Sequence, residues 1–429
     1  MSENKYMTFA EAAMQPGNLK WEAAIKRQND LYSRNSDIRS EFARDYTRIL
    51  HSLAYRRLKH KTQVFFDTKN DHVCTRVEHV AHVDSVSYTI ASALGLNTEL
   101  TRAIAMGHDL GHAPFGHTGE KILSELSEKY IGKKFWHEQN GVHYVDNIEL
   151  LESPDRNYYN MNLTYAVRDG IISHCGEVND TRLKPRDDAI DLYKIEKAGK
   201  VQPFTWEGCV VKLSDTIAYL GRDIEDAITL GIIELNDLRE LYKISRQISQ
   251  GTVNTSVIMH EFIVDIVKNS TPELGIGLSA ERAAMLNEVK AFNYAKIYRN
   301  PKLQNFNDYA KLVLNSVFKE IMKYFDGAET LSGLEKVYSR KHTPKFVREF
   351  YSWVLKYCDI SDMVRTADKT ETVDSIGITD KANELTRYHN IKCYGDLSDK
   401  AVYTQAILDF ISGMTDKYAI QCFEELISF

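Results

Sequence analysis

Four side chains in this 429-residue chain have the types and spacing to hold one divalent metal ion: His79, the adjacent pair His108-Asp109, and Asp215. His79 lies 29 residues before His108, and Asp215 lies 106 residues after Asp109. Imidazole nitrogens combined with carboxylate oxygens suit a divalent cation. Two histidines and two aspartates leave coordination positions open for water, which a bound cation makes acidic enough to react near neutral pH. A lone His-Asp dipeptide is ordinary helix-end chemistry. Its combination with His79 and Asp215, each on a helical pattern, points to metal-dependent hydrolysis at phosphorus. His60, His72, His82 and Asp84 have neighbours that suit solvent exposure and are left outside the site.

Further groups fall near these four by helical spacing. Arg76 precedes His79 by three residues, and its planar fork suits phosphate oxygens. Lys212 stands three residues before Asp215, where a phosphate contact and a solvated lysine are equally open readings. Tyr219 and Asp223 follow Asp215 at i+4 and i+8, so the three share one helix face.

Those positions need helices to hold them. From Arg76 to Leu94 the residues Val77, Val80, Val83, Val86 and Ile90 recur every three or four positions, the period of an amphipathic helix. Gly95 follows, and Asn97 caps a second helix with Glu99 in its first turn. That helix ends around Asp109–Gly111, and Pro114 cannot continue it. A helical pattern resumes from His117 to Ile131, and another runs from Glu207 to Ile233. His60–Thr75 reads as a break, with strand-like alternation in Thr62–Phe66; Val142–Asp191 reads as looser and more polar. The expected class is all-α with room for a small β element. The expected divisions are an N-terminal arm (1–45), a catalytic core (46–235) and a helical C-terminal region (236–429) packed on the core and used for oligomer contacts.

Composition sets outer limits. At 43% hydrophobic residues the chain is long enough for a large core. A net charge of −6 provides no global field for nucleic acid, so an anionic substrate must find a local cationic patch. The six cysteines form no C-x-x-C pair, which suits a reducing cytosol. No apolar run reaches the roughly 18 residues of a membrane span, so a cytoplasmic protein is expected.

Four stretches together are specific. They are Arg56-Arg57-Leu58-Lys59-His60-Lys61-Thr62-Gln63-Val64-Phe65; Thr75-Arg76-Val77-Glu78-His79; Gly107-His108-Asp109-Leu110-Gly111-His112-Ala113-Pro114-Phe115-Gly116-His117-Thr118-Gly119-Glu120; and Leu213-Ser214-Asp215-Thr216-Ile217-Ala218-Tyr219-Leu220-Gly221-Arg222-Asp223-Ile224-Glu225-Asp226-Ala227. Fainter echoes occur at Ala291-Phe292-Asn293-Tyr294 and from Asp409 to Asp416. The chain resembles the HD-domain deoxynucleoside triphosphate triphosphohydrolases, the dGTPase-like family. The resemblance implies a helical HD bundle and a divalent metal such as Mn²⁺, Mg²⁺ or an iron-group ion. It also implies a homo-oligomer, a tetramer or a hexamer, with room for an allosteric dNTP and for single-stranded DNA as partners. The implied reaction converts a dNTP and water into the 2′-deoxynucleoside and triphosphate.

Within that resemblance His79, His108, Asp109 and Asp215 are the metal ligands. The leaving 5′ oxygen needs a proton donor, and histidine titrates in the right range. His112, His117 and His137 are the candidates, with Glu120 three residues after His117 and able to orient it. Gln63, Tyr219 and Asp223 fall near the deoxyribose, where a tyrosine ring excludes a 2′-hydroxyl by steric rejection. Two other readings remain open: a different HD phosphohydrolase such as a nucleotidase or phosphodiesterase, and a non-catalytic nucleotide- or single-strand-binding HD protein.

Overall fold

Helices dominate the computed structural model, which describes residues 7–30, 36–66, 70–175, 182–245, 255–340, 342–359 and 384–428. In chain order the first helices are α1 (Trp21–Ile25), α2 (Glu41–His51), α3 (Leu53–Arg57), α4 (Arg76–Leu94), α5 (Thr98–Gly107), α6 (Gly116–Ile131), α7 (His137–His143), α8 (Tyr165–Ser173) and α9 (Trp206–Thr229). Those that follow are α10 (Leu235–Ser245), α11 (Thr255–Asn269), α12 (Ala280–Asn293), α13 (Gln304–Met322), α14 (Thr330–Tyr338), α15 (Lys345–Val354), α16 (Lys400–Ser412) and α17 (Asp416–Ile427).

Local chemistry explains the helix ends. Thr75 and Glu78 form a capping box at the start of α4, the Thr75 N–H donating to Glu78 Oε2 at 2.7 Å. Gly95 ends that helix in the left-handed region at φ 80°. Asn97 Oδ1 accepts from the N–H groups of Glu99 and Leu100 and starts α5. Helices α4, α5 and α9 pack against one another, with α2 along α5 and α8 between α5 and α9. One apolar core joins α2, α5, α6 and α8 to α13, α15 and α16; a second lies between α4, α9, α11 and α12.

Two expectations are corrected. The segment Val142–Asp191, read as loose, contains α8, whose residues Ala166 to Ser173 are all buried. Its polar residues are paired inside: Arg168 with Asp146 and Asp169 with Arg186. Thr62–Phe66 forms no strand; Thr62 makes only an isolated bridge to Thr75. The β structure lies elsewhere, as antiparallel pairs Leu150–Glu152 with Tyr158–Asn160 and Arg182–Leu183 with Ile276–Gly277. Within residues 1–45, Phe9, Met14 and Ala24 are buried.

The C-terminal helices brace the site-bearing turn. Helices α13 and α16 pack on α6. At the start of α17, Asp416 accepts from the Phe115 N–H at 2.8 Å and from the Thr62 N–H at 2.9 Å. Phe115 sits at φ 64°, a strained value for a residue with a side chain, so that outside hydrogen bond helps hold it. Lys61 Nζ donates to the carbonyls of His112 and, at 2.7 Å, of Ser412.

Candidate active site

The three helices that carry the H…HD…D pattern meet at one point. The first turn of α4 supplies His79, the residues just past α5 supply His108 and Asp109, and the middle of α9 supplies Asp215. His79 Nε2 lies 3.0 Å from Asp215 Oδ1 and 3.9 Å from Asp109 Oδ2. His108 Nε2 lies 3.5 Å from Asp109 Oδ1 and 3.8 Å from Asp215 Oδ1. His108 Nδ1 donates to the Ala105 carbonyl at 2.7 Å, which leaves Nε2 as the lone-pair nitrogen. That Nε2 is buried without a hydrogen-bond partner among the described residues. An orphaned buried acceptor facing two carboxylates fits a cation, and the donor set fits a divalent one.

Electrostatics keep the carboxylates ionised. Burial opposes the charge on Asp109, yet His108, His112 and Arg76 hold its carboxyl well below the usual range. Burial likewise opposes Asp215, and the hydrogen bond and charge of His79 bring it down to about 2. Arg76 is buried and spends NH1 on Asp109 at 2.7 Å. Its Nε and NH2 are buried without partners among the described residues.

A second group abuts the first. His112 Nε2 lies 3.0 Å from Asp109 Oδ1, and the His112 ring stacks on His137 with centroids 3.7 Å apart. Glu120 joins two rings, its Oε1 at 3.0 Å from His137 Nδ1 and its Oε2 at 3.2 Å from His117 Nδ1. His137 is buried while His117 is exposed. Burial opposes protonation of His137, but Glu138 and Glu120 raise its pKa well above the ordinary value. Burial and the charges of Arg76 and His137 push His112 well below it. The two shifts run in opposite directions across the stack.

This stack exists because Gly111 lets two backbones touch. A Cβ at position 111 would stand 2.1 Å from the His137 carbonyl and 2.2 Å from the Gly141 N. Gly111→Ala is expected to push α7 aside, with a stability loss on the order of 1–3 kcal/mol or more and a loss of turnover. Thermal melting of the variant checks this; an unchanged midpoint would mean that the crossing relaxes freely.

The other predicted residues spread around this centre. Gln63 is half-buried, with Oε1 lacking a partner among the described residues, and its carbonyl flanks Gly116. Lys212 is buried one turn before Asp215, with its charge felt by Cys209, so the solvated reading fails. Tyr219 is half-buried. Asp223 is buried and accepts a hydrogen bond from Tyr298. Burial pushes the Asp223 carboxyl up to about 7, against the hydrogen bond from Tyr298. Of the residues set aside, His60 and His72 are exposed, and Asp84 pairs with Arg102 at 2.9 Å. His82 departs from expectation: it is half-buried, with Nδ1 unpartnered among the described residues. The sequence reading missed His174, buried at the end of α8 with its ring 4.9 Å from His108 and 5.5 Å from His137. A histidine closing a helix, as His108 does, was the available signal.

The fold and this constellation define an HD-domain protein, and the HD domain model matches residues 76–220, which contain all four candidate ligands. Relatives narrow the class. The deoxyguanosinetriphosphate triphosphohydrolase-like protein of Caldanaerobacter subterraneus subsp. tengcongensis is 37% identical over 283 residues, 66% of this chain and 72% of its own length. The protein of the same name from Desulfatibacillum aliphaticivorans is 37% identical over 293 residues, 67% of this chain and 75% of its own. That of Rickettsia felis is 29% identical over 419 residues, 94% of this chain and 96% of its own. The chain belongs to the deoxyguanosinetriphosphate triphosphohydrolase-like family. No helix among the described residues is long and apolar enough to cross a membrane.

Proposed function

We propose that this chain hydrolyses deoxynucleoside triphosphates, dGTP or several of them, to the 2′-deoxynucleoside and inorganic triphosphate. Water attacks the α-phosphorus and the 5′ oxygen leaves. The observation that carries this reading is the hydrogen-bonded contact between a four-ligand cation cradle and a separate imidazole–carboxylate group, made through Asp109 and His112 at 3.0 Å.

His79, His108, Asp109 and Asp215 would hold a divalent cation such as Mn²⁺ or Mg²⁺. When bound there, such an ion supplies Lewis acidity toward a phosphoryl oxygen and toward water. The unpaired edge of Arg76 faces phosphate charge. His117, at the exposed mouth, hands a proton to the leaving 5′ oxygen. Glu120 fixes the His117 ring and links it to His137. Gln63, Tyr219 and Asp223 line the sugar end, with Asp223 held in place by Tyr298. Lys212 adds positive charge behind Asp215.

Incubation with each of the four dNTPs and Mn²⁺, singly and in pairs, tests the reading by chromatography of the products. Deoxynucleoside and triphosphate in equal amounts are expected. Release of orthophosphate or of a deoxynucleoside monophosphate would assign a different phosphohydrolase. No turnover under any pairing would favour a binding protein that keeps the fold.

A further inference from the structure

His174 is presented as a ligand is presented. It follows the last residue of α8 as His108 follows α5, and the two rings are anchored alike. Each Nδ1 donates to the carbonyl three residues back, His108 to Ala105 and His174 to Ile171, both at 2.7 Å. Each Nε2 is thereby left as the lone-pair nitrogen, the arrangement by which proteins orient metal-binding histidines. Cys175 comes next in the chain, and the first turn of α7 brings His137 and Glu138 from the other side. One ligand atom from each of His137, Glu138, His174 and Cys175 lies within 4.8 Å of the other three. The first three residues are buried and the cysteine is half-buried.

We propose that His137, Glu138, His174 and Cys175 form a second cation site, for a thiophilic divalent ion such as Zn²⁺, beside the His79/His108/Asp109/Asp215 cradle. Two imidazoles, a carboxylate and a thiolate make a tetrahedral donor set of the kind Zn²⁺ takes, with bonds of about 2.0–2.3 Å. Binding draws the four atoms inward by roughly an ångström to meet those lengths. The ligands are the thiolate and neutral imidazoles, so the thiol proton and the second ring proton of His137 leave to solvent. The first cradle has no sulfur, and this difference in softness sorts ions between the two. The sites abut, because His108, Asp109 and His174 also lie within 4.8 Å of one another. His137 belongs to both the new site and the proton-handling group, so the two uses exclude each other. This last consequence rests on the function proposed above.

The test counts metal in the full-length protein. After chelation, the protein is reloaded with Zn²⁺, desalted and assayed by elemental analysis; a parallel sample takes Co²⁺ and is read for a thiolate-to-cobalt charge-transfer band. The wild type should hold two equivalents and show the band, and Cys175→Ser should hold one and lack it. One equivalent in the wild type, two in the variant, or a band that survives in the variant would overturn the site. If Cys175→Ser does not fold, Glu138→Gln should weaken the second equivalent about tenfold or more, and unchanged affinity would count against the proposal. In a separate arm, excess Zn²⁺ should slow dNTP turnover by the Mn²⁺-loaded wild type more than by Cys175→Ser. A second equivalent without inhibition keeps the site and removes His137 from proton transfer.

Discussion

Asp109→Ala should lose metal and turnover together, and should destabilise the metal-free protein more than Asp215→Ala does. Both carboxylates face the two ligand histidines, but their surroundings differ. Asp109 is buried and neutralises Arg76, which is buried as well, at 2.7 Å. Removing one partner of such a pair leaves an uncompensated charge in the interior, at about 3–5 kcal/mol. Asp109 also accepts from His112 at 3.0 Å, so the alanine variant releases the stack from the cradle. Asp215 has 16% of its side chain exposed and pairs with His79, which can shed its proton when the carboxylate goes. Its loss therefore costs less stability while still removing a ligand. Elemental analysis after Mn²⁺ loading, kcat on a dNTP, and thermal melting of chelated protein read the three effects. Retained turnover in Asp109→Ala would dismiss the metal assignment. Equal destabilisation by the two variants would show that Arg76 finds another partner.

The elements that frame the site were legible because they are half-buried helices with strong ends. Helix α4 begins at the Thr75–Glu78 box and ends at Gly95, where the apolar period also begins and ends. Helix α8 was not legible for a physical reason. It is buried on all sides, so no polar face alternates with an apolar one, and its internal ion pairs resemble a solvated loop when read in sequence. His174 was lost with it. The ligand pattern could be read residue by residue, whereas the His112–His137 stack could not. That stack depends on the backbone crossing at Gly111, which no periodicity encodes. The grip of Asp416 on Phe115 joins residues 301 apart and has no local signature. The Tyr298–Asp223 hydrogen bond was hidden in the same way, since an isolated tyrosine in a helical region reads as core.

Glu120→Gln should leave metal content unchanged and lower kcat by roughly 10²–10⁴-fold, the usual worth of acid–base assistance. The Glu120 carboxylate accepts from three donors: the His137 N–H at 2.9 Å, His137 Nδ1 at 3.0 Å and His117 Nδ1 at 3.2 Å. An amide has one oxygen and one NH₂ group, so it can satisfy one ring only by turning a donor toward the other. The link between exposed His117 and buried His137 is then broken, while the cradle ligands keep their partners. The pH profile should respond as well. The pKa of His137 is raised by Glu138 and by Glu120, against burial. A protonated His137, which backs the donor His117 through Glu120, is lost as pH rises through its pKa, so removing one carboxylate moves the alkaline limb of kcat to lower pH. Glu138 remains, so the displacement is partial, and Glu138→Gln in the same background should extend it. A reduced kcat with an unmoved limb would make Glu120 a positioning group for His117 alone. A loss of metal in Glu120→Gln would place it among the cation's ligands instead.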